Sequence, residues 1–110
     1  MGNAYKVLGQ SDPSAANLTE LYAVPSATEA IVSTITVCNR SPTPTDFRIS
    51  VEIANAGTAN PQFIAYDTPI AGNEMIVLNK LGLALAATDT LNVYATLATL
   101  SFNAFGVEIT

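Results

Sequence analysis

Strand-like runs divided by turn signals at intervals of about 8–12 residues cover this chain from end to end, and the helical spacing of apolar residues is nearly absent. The clearest run is Asp46 to Ile53. Phe47, Ile49, Val51 and Ile53 fall on one face of it, Arg48, Ser50 and Glu52 on the other. At about 1.5–3 kcal/mol per buried side chain, the apolar face supplies roughly 6–12 kcal/mol before chain entropy is counted. A slip of one residue would expose all four, so a firm register is expected. Upstream, Ala30 to Cys38 is rich in β-branched residues, which suit a pleated surface, with Ile31, Ile35 and Val37 on one face and Ser33 among them. Asn39 to Pro44 then interrupts the pattern, because prolines cannot donate to a ladder. The two runs read as a hairpin with a proline-stiffened connection.

Further strands are expected at Tyr5–Leu8, Glu20–Val24, Gln62–Tyr66, Glu74–Leu78, Leu91–Ala95 and Leu100–Ile109. Turn signals separate them at Asp12-Pro13, Val24-Pro25, Ala56-Gly57, Asn60-Pro61, Thr68-Pro69, Gly72-Asn73 and Thr88-Asp89. Asn79 to Ala87 suits either a strand, through Leu81, Leu83 and Leu85, or a short helical turn, through its alanines. About eight strands in 110 residues predict an all-β fold, an antiparallel two-sheet β-sandwich. Jelly-roll-like and immunoglobulin-like orders both fit, although the absence of Trp and the single Cys argue against an immunoglobulin domain proper. The expected organisation is one domain over residues 1–110, with residues 1–13 as an extended N-terminal arm.

Charged residues make up 12% of the chain, against roughly 25% in an ordinary soluble domain. A monomer in water normally carries more charge, so part of this surface is expected to lie against other chains, in a homo-oligomer or larger assembly. The net charge is −5, and the basic residues Lys6, Arg40, Arg48 and Lys80 are scattered. No positive stripe for phosphates or anionic lipid can be built from them, so neither nucleic acid nor membrane is expected as a partner. The N-terminus does not read as an export signal, and the longest weakly polar stretch, Leu81 to Ala87, is too short to span a bilayer.

Histidine is absent, which removes the Ser-His-Asp and Cys-His systems in their standard form. Cys38 sits in an apolar run and reads as a core residue. Asp12, Asp46, Asp67 and Asp89 fall at turns, where carboxylates mostly bond their own backbone; calcium is the competing reading, without an Asp-x-Asp spacing to support it. Tyr5, Tyr22, Tyr66 and Tyr94 suit sandwich edges, with a sugar-stacking platform or protein hot spots as the functional competitors. Asn17-Leu18-Thr19 matches a glycosylation sequon that reads as chance. No catalytic, cofactor-binding or metal residue is assigned, and a non-enzymatic protein without cofactor is expected.

Tyr5-Lys6-Val7-Leu8-Gly9-Gln10, Leu21-Tyr22-Ala23-Val24-Pro25, Ala30 to Asn39, Ile64-Ala65-Tyr66-Asp67-Thr68-Pro69 and Leu100 to Ile109 resemble small virion structural proteins of tailed bacteriophages, particularly cyanophages. The similarity spans nearly the whole chain and rests on strand-and-turn phrases without catalytic content. It implies a virion component assembled in the host cytoplasm, a capsid decoration or cement protein that contacts the major capsid protein or other virion proteins, with a trimer as the expected form. A tail, neck or head-fibre component is the alternative within the virion. A carbohydrate- or calcium-binding adhesion module is the alternative outside it.

Overall fold

A computed structural model describes residues 2–110. Among them run nine strands: β1 (Asn3–Ser11), β2 (Thr19–Ala23), β3 (Glu29–Asn39), β4 (Thr45–Glu52), β5 (Phe63–Ile70), β6 (Met75–Leu78), β7 (Leu83–Leu85), β8 (Thr90–Ala95) and β9 (Leu100–Ile109). Two single-turn 3-10 helices, Ile53–Asn55 and Asn60–Gln62, fill the β4–β5 connection. One sheet has the order β1-β9-β3-β6, with β7 also paired to β3; the other has the order β2-β8-β4-β5. All pairings are antiparallel.

The order decides between the two expected sandwich types. An immunoglobulin sheet sets its first strand beside its second. Here β1 pairs with β9, β2 with β8, β3 with β6 and β7, and β4 with β5. These nested pairs form one long ribbon folded over on itself, which is the jelly-roll wrapping.

The hairpin expected across Asn39–Pro44 is not formed, because β3 and β4 belong to different sheets. The connection is instead a crossover held by Asn39, which is buried. Its Nδ2 donates to Thr43 O (2.8 Å) and Ala71 O (3.2 Å), and its Oδ1 accepts from Ser41 N (3.1 Å). The arm expected over residues 1–13 is likewise corrected. Asn3–Ser11 is strand β1, paired along β9 from Asn3 opposite Ile109 to Ser11 opposite Phe102, and Met1 lies outside the described residues. Its backbone groups need partners, and β9 has a free side to supply them.

Side chains from the two sheets meet in one core. Val32, Ile35, Val37, Leu100, Phe102 and Ala104 come from the first sheet, and Phe47, Ile49, Leu91, Val93 and Ala95 from the second. Phe47 and Phe102 touch edge to face, with centroids 6.0 Å apart. The β4 face is shorter than its alternation implied. Phe47 and Ile49 are fully buried and Val51 partly so, but the strand ends at Glu52 and Ile53 is 71% exposed. Two full burials and a partial one supply about half of the expected gain.

Bulges explain where simple alternation failed. Ser33 is an extra residue in β3 between the pairs Val32–Gly106 and Thr34–Phe105, so Ala30 and Val32 point inward before it and Ile35 and Val37 after it. Ile31 is thereby left outside. The break coincides with the turn between β6 and β7, where Lys80 and Gly82 take positive φ and Leu81 N donates to Ser33 O (3.1 Å). Asn79–Ala87 is therefore a turn followed by a short strand. In β1, Leu8 is the matching extra residue between Val7 and Gly9. Pro69, expected at a turn, lies within β5, an edge strand whose outward N–H positions need no ladder partner.

At Gly106, a Cβ would run into the backbone carbonyl of Ile31. Replacement Gly106→Ala is expected to cost about 2 kcal/mol and to lower Tm by roughly 8 °C or more. The Ser50 hydroxyl is buried without a hydrogen-bond partner. Ser50→Ala is expected to leave stability unchanged or raise it by up to about 1 kcal/mol. Urea and thermal melts of the two variants check these opposite signs.

Candidate functional site

Four surface features combine exposed, apolar or charged groups in a way that the chain alone did not reveal. The first lies on the outer face of the four-stranded sheet. Arg48, on the polar side of β4, sits opposite Tyr94 in β8, and the β5 bulge at Tyr66 and Asp67 faces it from the other side. The guanidinium carbon stands 4.1 Å from the Tyr66 ring centroid and 4.5 Å from that of Tyr94. Arg48 Nε donates to Asp67 Oδ1 at 2.6 Å, which holds the guanidinium still further into its charged range. Asp67 reaches this position with φ of 48°, as the bulge requires. Phe63 meets Tyr66 edge to face at 5.0 Å, beside a recess of about 450 Å³ that Asn60 also lines. The result is a stiff array of aromatic rings, cation and carboxylate, open to solvent.

The second feature is a polar cluster at the sandwich edge between β1 and β2. Tyr22 is buried, and its hydroxyl donates to Glu108 Oε2 at 2.6 Å. Lys6 Nζ donates to Glu108 Oε1 at 2.9 Å. Glu108 is held below the usual carboxylate range, first by the Tyr22 hydrogen bond and then by Lys6. Burial, followed by the same carboxylate, pushes the Tyr22 hydroxyl above the usual phenol range. Gly9 permits this arrangement, because a Cβ there would strike the Leu21 carbonyl and force β1 away from β2.

The third feature is apolar. Tyr5 (84%), Val7, Ile31, Met75 and Val77 are exposed, and the strand register puts all five on the outer face of the five-stranded sheet. A second apolar surface lies at one end of the sandwich. Val51, Ile53, Ile64, Leu83 and Leu85 line a groove of about 530 Å³ there.

The candidate residues read from the chain separate accordingly. Tyr66 and Tyr94 come together around Arg48, whereas Tyr22 is used at the edge and Tyr5 stands on the opposite sheet. Asp89 bonds backbone as expected for a turn carboxylate, accepting from Ala86 N and also from Ala54 N, both at 2.9 Å. Asp46 accepts from the Thr96 hydroxyl. Asp67 pairs with Arg48 and Asp12 is exposed, so the four aspartates do not converge. Among the described residues no three of His, Cys, Asp and Glu form a group able to hold a metal ion. Cys38 is half-buried and sits opposite Met75 on the outer side of β3, not in the core, because Val37 and Asn39 take the inward positions. Asn17 of the sequon donates to Ser14 Oγ and Ala15 O, which ties its amide into its own loop.

Glu52 was not singled out from the chain. It is buried on the outer face of β4, where it accepts from Asn92 Nδ2 (2.9 Å), Gly57 N (3.3 Å) and the Thr58 hydroxyl (3.4 Å). It fastens the β4–β5 connection over that sheet. Its only advance signal was a polar position flanked by Ser50 and Arg48, which every solvated strand face shares.

No family model matches the chain, and no curated protein matches it.

A depressed carboxyl contributes stability above its unfolded value that is lost as pH falls through the folded value. Glu108 therefore contributes stability that is fully present above the ordinary glutamate value, about 4.3, and is lost as the pH falls below it. Tyr22→Phe removes the larger of its two supports. The variant is expected to lose about 1.5 kcal/mol at neutral pH and to show a shallower loss as the pH falls below the ordinary carboxylate value, as read by urea melts across pH. An acid limb as steep as that of the parent would contradict the Tyr22–Glu108 coupling.

Proposed function

We propose that this chain is a non-enzymatic structural component of a phage virion, a decoration protein that cements the head shell. The observation that carries the reading is the pair of separated apolar surfaces on so weakly charged a chain: the outer face of the five-stranded sheet and the groove at Ile53 and Ile64. A cement must hold at least two bodies at once, and two such surfaces on a disulfide-free sandwich suit that work. DNA packaging loads a shell from within. A clamp across subunit seams adds interface area that must be broken before subunits part. The resemblance to small cyanophage virion proteins points the same way, and the chain works as a homo-oligomer seated on the major capsid protein. The same surfaces would serve a tail, neck or head-fibre component, and the position of labelled protein on the particle separates the two.

The Arg48–Tyr66–Tyr94 array favours one further reading, a carbohydrate-binding module. Rings and a fixed hydrogen-bonding fork are the groups that hold sugars. Two ring faces are already occupied by Arg48, however, which leaves less of them for stacking.

Purified protein is expected to co-sediment saturably with expanded empty heads of cyanophages. Ile53→Asp is expected to weaken that binding by tenfold or more without lowering Tm by more than a few degrees, since Ile53 is exposed. Indifference to heads, together with glycan-array binding abolished by Tyr66→Ala, would replace the cement reading with the carbohydrate one.

A further inference from the structure

We infer that the outer face of the five-stranded sheet is covered by a second copy of this chain, packed sheet on sheet about a two-fold axis. This deepens the proposed assembly role by naming the surface of self-association, and it replaces the threefold form that the resemblance implied.

Association through strand edges is blocked at every edge of the sandwich. β1 carries the Leu8 bulge, and β2 is five residues long with a bulge of its own. β5 carries Pro69 and the bulge at Asp67, and the edge formed by β6 and β7 is broken by the turn at Lys80 and Gly82. Each device prevents a neighbouring strand from adding on. Sheet faces are what remain.

The two outer faces differ. That of the four-stranded sheet is polar, with Arg48 and Asp67 exposed or half-buried and Glu52 beneath the β4–β5 connection. On the face of the five-stranded sheet, exposed Tyr5, Val7 and Ile31 surround the half-buried Phe105 and Val107. Within its strands the register places one charged side chain on that face, Glu29 at a corner. A face with a single charge at its corner is a poor match for a strongly acidic or basic partner and a good match for itself.

Its size is also right. A ten-residue strand spans about 33 Å, and four strands about 4.8 Å apart with their side-chain margins span about 19 Å. That is roughly 600 Å² in projection and more once side-chain relief is counted, close to the ~800 Å² per partner of a stable complex. Charge placement selects the axis. Glu29 lies at one end of β3, and exposed Arg40 follows its other end, where its guanidinium donates to Ala98 O and Leu100 O beside Asp12. An axis lying across the strands turns Glu29 of each copy toward the Arg40 end of the other, whereas an axis along them sets Glu29 against Glu29. The first is the arrangement inferred, with the sheets about 10 Å apart.

Light scattering on a sizing column, run from micromolar to millimolar chain, is expected to show a mass of twice 11.5 kDa. Tyr5→Lys and Val77→Lys, both at exposed positions, are expected to keep the parent's circular dichroism and to weaken pairing by about tenfold or more each. Ile53→Lys, on the groove, is expected to leave the pair intact. A single-chain mass throughout the range, a threefold mass, or a pair that survives both sheet-face substitutions would overturn the inference. Head binding is scored separately, so a pair that ignores heads would sink the cement role alone, and a head-binding monomer would sink the pairing alone.

Discussion

β9 is bonded on both of its sides by strands from the beginning of the chain, and the rest of the sandwich hangs on that double pairing. Its residues Leu100–Ile109 meet β1 on one side and β3 on the other for almost their full length. A strand in that position satisfies backbone groups on three strands at once, and its inward residues Leu100, Phe102 and Ala104 are wholly buried. Because the partners are separated by most of the chain, the ladder forms only after long loops have closed. Folding of such a nested ribbon belongs to the slow class of β-topologies.

The price of bonding one strand so completely is geometric, and it is met by bulges aligned across the sheet. Leu8 in β1 and Ser33 in β3 both fall beside the Ala104–Gly106 segment of β9. Gly106 supplies the missing side chain there, and the turn between β6 and β7 supplies a donor to the Ser33 carbonyl. These irregularities shape the surface as much as the core. They turn Ile31 outward beside Val107 and leave Gly9 close enough to β2 for Tyr22 to reach Glu108. The apolar outer face is thus a consequence of the same constraint that closes the barrel-like wrap.

Polar groups follow a different logic. The carboxylate of Asp89 and the amide of Asn39 each join backbone segments far apart in the chain, and the buried carboxylate of Glu52 ties the adjoining connection at Gly57 to the Asn92 side chain. With no disulfide and few ion pairs, these hydrogen bonds tie the loops down; the described ion pairs, Lys6–Glu108 and Arg48–Asp67, lie partly in solvent and contribute less. A chain built this way spends little charge on its surface, which is the condition that the proposed packing against other chains relies on.

Alternation and turn residues alone determined that the chain forms antiparallel strands in two layers, and they placed β3, β4, β8 and β9 within a residue or two, because side-chain period and proline placement are local properties. The phase of β3 beyond Ser33, the outward position of Cys38, the residence of Pro69 in an edge strand and the clasp of Arg48 between Tyr66 and Tyr94 were decided only by the tertiary structure. Each depends on which strand lies alongside which. That neighbour is set by pairings spanning most of the chain, and no local pattern carries such information. Strand order separated the jelly roll from the immunoglobulin-like wrap for the same reason, and it turned Asn39–Pro44 from a hairpin bend into a crossing between sheets.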